Sequence, residues 1–387
     1  MQAFSQPEHQ AAGHDGCLTL EDGSLFVKLA TPQEIRFYNE IDTFDNAKDD
    51  EGMGSRLTDW IPVYLGTLTE GEMNSEANSV KVESVTQESI TKEPVTNEPE
   101  TEEPVTKEPQ TQHSITKESP TKKSITNQVP PKTTDKEYIV LENLYHRFNR
   151  PSVLDIKLGS KLTDDEATTK EKIERLDKVS RTTTSGSLGF RICGMKSFVG
   201  ETDPVQPPEL FENMNNLAVS SSGPYLEFNK LYGRNLNTKI VSDAILYYFT
   251  SYFNQLSNGK LMVTRLLETF LKRLQLLYNC LLDYEIRIFS GSLLFLFEND
   301  TTRWDPETLL DDDLYDQANP LIANTVLDSD DDEDEEYDVP PPLSKLNLID
   351  FGHAKFVKGQ GCDDNILTGL ENLMEIFESL LQREKEK

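Results

Sequence analysis

Cysteine, basic residues and long apolar runs are all scarce in this chain. Its four cysteines, Cys17, Cys193, Cys280 and Cys362, lie far apart in 387 residues, with no Cys-x-x-Cys and no paired histidine spacing. That distribution suggests neither a disulfide framework nor a zinc site. No apolar run approaches the roughly 18 residues of a spanning helix, and Met1 to Cys17 is polar. We therefore expect no membrane insertion and a reducing compartment, nucleus and cytoplasm. Lys and Arg number 38 against 68 Asp and Glu, a formal charge of -30, which argues against direct nucleic-acid binding through the whole surface.

Aromatic residues are missing between Leu65 and Glu137, where Thr-Lys-Glu-Pro and Ser-Ile-Thr-Lys units recur. So little apolar surface cannot offset an ordering entropy of roughly 1–2 kcal/mol per residue. Residues 70–137 are predicted to be a disordered Thr/Glu/Pro-rich insert, and such length adds little closure cost to a folded lobe. Asp305 to Asp338 holds fifteen acidic residues and no Lys or Arg, so 305–342 is predicted to be an acidic disordered loop. It lacks the alternation and glycine of a calcium loop.

What is present centres on Pro151-Ser-Val-Leu-Asp-Ile-Lys-Leu-Gly159. Leu154, Ile156 and Leu158 alternate with Asp155 and Lys157, predicting a strand that carries an acid and a base on one polar face, the other face being buried. An exposed ion pair on an edge strand has the same pattern. Upstream, Cys17 to Leu20 and Ser24 to Leu29 read as a hairpin, followed by Thr31-Pro32 and a helix. Lys28 on the strand and Glu34 on that helix follow the order in which kinase-like lobes place a phosphate-holding lysine and its glutamate partner. Tyr138 to Leu144 is a β-rich run, and Trp60 to Thr67 reads as another strand.

Thr163-Asp-Asp-Glu166 has capping-box spacing, predicting a helix through Ser180. From Lys157 to Lys196 there are nine Lys or Arg against six Asp or Glu, the one basic concentration in the chain. Within it Lys172, Arg175 and Lys178 recur every third residue, although interleaved acids also suit an ordinary solvated helix. Two apolar helices follow, about Lys239–Leu256 and Leu261–Leu282, then two strands about Gly291. Leu346-Asn-Leu-Ile-Asp-Phe-Gly-His353 delivers Asp350 to the end of an apolar strand, where kinases place a magnesium-binding acid. A last helix runs from Asn365 to about Gln382, apolar at Ile366, Leu370, Leu373 and Phe377.

Pro-x-x-x-Asp-x-Lys-x-Gly, filled by Pro151, Asp155, Lys157 and Gly159, resembles the signature of the inositol polyphosphate kinases, most closely their multikinase branch. Gly186-Ser-Leu-Gly-Phe-Arg-Ile-Cys-Gly-Met-Lys196, Leu231-Tyr-Gly-Arg234 and Asp350-Phe-Gly-His353 resemble further family blocks, while Gly291-Ser292-Leu-Leu departs from the family's Ser-Ser-Leu-Leu. The resemblance implies a two-lobed α+β kinase fold: residues 1–69 and 138–146 as the small lobe, 147–387 as the large, and 160–196 binding the inositol phosphate. It implies ATP and Mg2+ as cofactors. Asp155 and Lys157 become catalytic, Asp350 the metal ligand, and Lys28, Glu34, Glu142, Leu144 and Ser292 the nucleotide-binding residues. Lys161, Lys172, Arg175, Lys178 and His353 become substrate contacts. The expected reaction takes inositol trisphosphate to tetrakis- and pentakisphosphate, in a monomer. A hexakisphosphate kinase shares the signature, and a nuclear scaffold with transcription-factor partners on its acidic or Thr/Glu/Pro-rich segments is the reading from a different class.

Overall fold

The structure, a computed structural model, describes residues 4–6, 17–46, 54–69, 136–201, 218–322 and 341–387. A small lobe is built on an antiparallel sheet of β1 (Phe4–Ser5), β2 (Leu18–Leu20), β3 (Leu25–Leu29), β4 (Tyr64–Thr69) and β5 (Glu137–Glu142), ordered β1-β2-β3-β5-β4. The β2–β3 turn closes through Gly23 at φ +76° and a 2.9 Å bond from the Ser24 N–H to Asp22. Helix α1 (Pro32–Asn46) starts where Pro32 and the Thr31 hydroxyl predict, the latter accepting the Glu34 N–H at 3.1 Å. The strand expected from Trp60 begins only at Tyr64: Leu57–Trp60 is a 3-10 turn that buries Trp60. Pro62 has no N–H for a ladder bond and delays pairing.

The large lobe follows in the order β6 (Pro151–Leu158), α2 (Lys170–Arg181), α3 (Thr184–Leu188), β7 (Phe190–Phe198), β8 (Val219–Ser222), β9 (Tyr225–Phe228), α4 (Lys230–Asn235), α5 (Val241–Phe253) and α6 (Gly259–Leu282). It continues through β10 (Ile286–Ile288), β11 (Ser292–Glu298), α7 (Pro306–Leu310), α8 (Asp312–Ala318), β12 (Ser344–Ile349), β13 (Ala354–Phe356) and α9 (Asp364–Glu386). The main sheet runs β12-β11-β6-β7-β9-β8, and β10 pairs with β13 separately. Helices α5, α6 and α9 bury their apolar stripes against it; Phe377 stacks on Phe295 at 5.7 Å and Phe249 on Phe297 at 5.7 Å. Each such fully buried ring contributes about 1.5–3 kcal/mol.

Two sequence expectations change. Helix α2 begins at Lys170 with Thr169 as its cap, not at Thr163. The Thr163 hydroxyl instead bonds the Asp165 carboxylate at 3.0 Å, a side-chain turn that competes with helix propagation. The acidic stretch is helical over Pro306–Leu310 and Asp312–Ala318, with Asp305 and Asp311 capping and Leu309 and Tyr315 buried. Carboxylates at N-caps and first turns meet unpaired N–H groups and the positive helix end, so acid density there favours structure. The rest of that loop, residues 323–340, and most of the Thr/Glu/Pro-rich segment lie outside the described residues.

The Leu-Tyr-Gly-Arg motif has a packing reason: a Cβ at Gly233 would meet the Ile192 carbonyl oxygen at 1.8 Å. Gly233→Ala should therefore push α4 off β7 and cost about 1–3 kcal/mol, measured by urea unfolding. An unchanged midpoint would contradict this close approach.

Candidate active site

Strand β6 sets the geometry. It lies between β11 and β7, with Asp155 opposite Leu294 and Lys157 opposite Ser292. Both of its faces are covered, Asp155 itself being 4% exposed, so neither an edge strand nor a solvated polar face describes it. A bulge in the β6–β7 ladder falls between Asp155 and Ile156, where ladders commonly re-aim side chains beside active sites. Burial pushes the Asp155 carboxyl up to about 6, against the lowering pull of Lys157 and with a further push from Asp350. Its Oδ1 has no hydrogen-bond partner. The nearby Ser292 hydroxyl lowers the Asp155 pKa slightly, yet its Oγ also closes no hydrogen bond of good geometry.

Asp350 stands just past β12 at φ +69°, and Ser290 just before β11 at φ +58°. Non-glycine residues held in the left-handed region cluster at functional sites. The Lys157 ammonium donates to the Ser290 carbonyl at 2.5 Å and lies 3.8 Å from Asp350. Lys28 reaches from the small lobe to Glu34 at 2.8 Å and Asp350 at 3.3 Å. Burial lowers the Lys28 pKa, but the Asp350 and Glu34 carboxylates outweigh it and the net shift is upward, so the lysine stays charged.

Two clefts meet there. One, about 670 Å³, has apolar walls from Phe26, Leu141, Leu144, Leu294 and Ile349, with Glu142 and Asn143 at the lobe junction. The other, about 900 Å³, is lined by Lys157, Thr163, Thr168, Lys172, Ser290 and His353 among others. Lys28 and Asp350 line both. The Lys172 ammonium is 3.3 Å from His353 Nε2. An ammonium only donates, so Nε2 accepts and the imidazole is neutral. Burial first, then Lys172, depresses the His353 pKa in the same sense.

The structure thus brings Lys28, Glu34, Lys157, Lys172, Asp350 and His353 to the cleft walls, with Glu142 and Leu144 on the apolar cleft. Asp155 is buried beneath them, within the electrostatic reach of Lys157 and Asp350, and lines neither cleft itself. Glu142 is also ion-paired to Lys345 at 2.8 Å. Ser292 is fully buried and lines neither cleft. Lys161, Arg175 and Lys178 do not line them either. Lys161 is held by Asp165 at 3.0 Å. On α2 the cleft takes Lys172 and Leu176, one turn apart, which turns Lys178 to the far side and Arg175 to the flank, both exposed. Thr163, Thr168 and Phe289 were missed, because the capping-box spacing hid the threonines and a phenylalanine beside a strand reads as core.

Asp350 offers a hard carboxylate oxygen at the meeting point. No cluster of three or more His, Cys, Asp or Glu that could hold a metal occurs among the described residues. That donor set suits a magnesium ion carried largely by nucleotide phosphates and water, which needs one or two protein carboxylates.

A family model described as inositol polyphosphate kinase matches residues 138–378. The chain is 39% identical over 385 residues to the inositol polyphosphate multikinase of Saccharomyces cerevisiae, covering 96% of each. It is 28% identical over 253 residues to inositol hexakisphosphate kinase 1 of Rattus norvegicus, covering 63% of this chain and 52% of that one. A crystal structure of an inositol phosphate multikinase from S. cerevisiae, in complex with ADP and Mn2+, superposes with a TM-score of 0.61 at 32% identity, covering 93% of this chain and 100% of that one. The family model falls on β5 and the large lobe, and so on the cleft residues from Leu141 onward, while the multikinase relative extends the match across the small lobe with Lys28 and Glu34. The chain belongs to the inositol polyphosphate kinase family.

Proposed function

We propose that the chain transfers the γ-phosphoryl group of Mg-ATP to hydroxyls of soluble inositol polyphosphates, taking the trisphosphate to tetrakis- and pentakisphosphate. The observation that carries this is the junction of an apolar cleft and a cationic cleft at Lys28 and Asp350. The apolar cleft suits a purine, whose edge the main chain at Glu142 to Leu144 meets. Lys28, fixed by Glu34, neutralises nucleotide phosphates. Asp350 would hold the magnesium ion, which lends charge neutralisation to the phosphates. Asp155 takes the proton of the attacking hydroxyl, and Lys157 stabilises charge on the transferring group. This is catalysis by positioning and electrostatics.

The multikinase relative matches nearly the whole chain and the hexakisphosphate kinase only part of it, which favours the multikinase reaction over pyrophosphate formation. The test is chromatography of products from Mg-ATP with trisphosphate or hexakisphosphate. Tetrakis- and pentakisphosphate from the first supports the reading; product from hexakisphosphate alone overturns it. Lys172, which makes no salt bridge among the described residues, serves the acceptor's phosphates together with His353. Lys172→Ala should raise the acceptor KM roughly ten- to hundredfold, the worth of one charge-assisted hydrogen bond, with the ATP KM unchanged. An equal rise in both constants in steady-state kinetics would contradict that division of the clefts. Transcription-factor recruitment by the acidic or Thr/Glu/Pro-rich segments falls largely on residues outside those described, 323–340 and 70–135. We propose it separately, for a monomer in nucleus and cytoplasm, with pull-down by insert-deleted protein as its test.

A further inference from the structure

We propose that Asp45 and Tyr284 are a positioning pair that fastens α1, and through it Glu34 and Lys28, to the large lobe before nucleotide binds. Asp45 is in the last turn of α1 and Tyr284 lies between α6 and β10; each is 1% exposed. The Tyr284 hydroxyl donates to Asp45 Oδ1 at 2.5 Å and accepts the Leu57 N–H at 2.8 Å. Asp45 Oδ2 accepts both the N–H and the hydroxyl of Thr58, each at 2.9 Å. One buried carboxylate therefore gathers three donors from two other segments, in surroundings where such bonds are strong and their loss leaves an unpaired charge. Burial, then the bond to Asp45, pushes the Tyr284 phenol far up, so it remains a donor throughout the working pH range.

The rest of α1 is held to the same part of the large lobe. Gln33 donates to the Ala354 carbonyl at 3.0 Å and Thr31 to the Gly352 carbonyl at 3.3 Å. Phe37 stacks on Phe351 at 4.8 Å, and Phe44 packs on Tyr284 at 5.4 Å and Phe356 at 5.7 Å. The helix is thus tied at both ends to the segment that follows Asp350 and to Tyr284. Glu34 directly follows the Gln33 of the first tie, and Asp45, about 16 Å along the axis, makes the second. A helix fixed in this way holds Lys28 in its charged, paired position without help from a ligand, which removes an ordering cost from nucleotide binding.

The proposal rests on Lys28 being the nucleotide anchor, and the test separates the two. Tyr284→Phe and Asp45→Asn are made singly and together in the full chain. Mg-ADP affinity is read by calorimetry, and KM for ATP and for inositol trisphosphate by steady-state kinetics. Each single change should weaken Mg-ADP and raise the ATP KM roughly tenfold, leave the trisphosphate KM within about twofold, and add nothing further in the double variant. Leu380→Ala, buried in α9 away from the pair, should lower the melting temperature yet keep Mg-ADP affinity, so lost stability alone does not mimic the effect. Wild-type Mg-ADP affinity in folded Tyr284→Phe would overturn the clamp, and additive losses would overturn the pairing. A wild-type protein unable to bind Mg-ADP would overturn instead the reading of Lys28 and the proposed function.

Discussion

Asp350→Asn is expected to lower kcat by about a thousandfold while the protein stays folded. Among the described residues Asp350 is the one carboxylate that lines both clefts, and it is the counter-ion of Lys28 at 3.3 Å and Lys157 at 3.8 Å. Asparagine has the same shape and tolerates the φ of +69° found here, so backbone strain is not the cause of the loss. What disappears is the charge. A neutral amide is a poor ligand for a hard divalent ion, and both lysines lose the carboxylate that keeps them aimed. The loss should therefore appear in kcat and in the metal dependence, with circular dichroism unchanged. A kcat within tenfold of wild type at saturating Mg-ATP would contradict the role assigned to this residue.

Asp155→Asn should lower kcat by roughly 10²- to 10⁴-fold, the usual contribution of a general base, and should at the same time leave the fold as stable as wild type or more so. The carboxyl is buried and its folded pKa stands near 6 against an ordinary 3.8. The folded state then binds more protons than the unfolded state between those values, so stability falls as pH rises through that window and is flat above it. At neutral pH the charged form is a net cost to the fold, which asparagine removes. In wild type the same group makes kcat/KM fall below about pH 6, because the protonated acid cannot accept the hydroxyl proton. Melting curves and a pH–rate profile check both halves. A large drop in melting temperature, or an acid limb that survives in Asp155→Asn, would go against this assignment.

The catalytic strand was legible because its chemistry is local: Asp155 and Lys157 stand at fixed spacing on one strand that Gly159 follows, and Asp350 directly follows another. Lys28 and Glu34 were legible for the same reason, one strand and the next helix. The environment of Asp155 was not. Alternation of apolar and charged residues suggests a solvated face, whereas β6 is a central strand, paired with both β7 and β11, and its Asp155 is buried by packing over the sheet. The basic helix misled in a related way. Three-residue spacing puts cations near one another, but which of them meets the cleft depends on how α2 is rolled, and that is set by tertiary contacts of Leu176 and Lys172. The number of acids in the acidic stretch suggests disorder throughout. Position decides, and Asp305 and Asp311 are caps. Ser292 shows the limit of motif transfer: the residue is where the pattern puts it, yet its side chain is sealed inside the sheet.

The most direct test is transfer of radiolabel from γ-labelled ATP in a single turnover with enzyme in excess, with inositol trisphosphate as acceptor. The two-cleft account predicts label on the inositol product in equal amount to ADP formed, and neither in Asp350→Asn. Label released as free phosphate, or ADP formed equally without acceptor, would mean that Lys28 and Asp350 do not join a nucleotide cleft to an acceptor cleft.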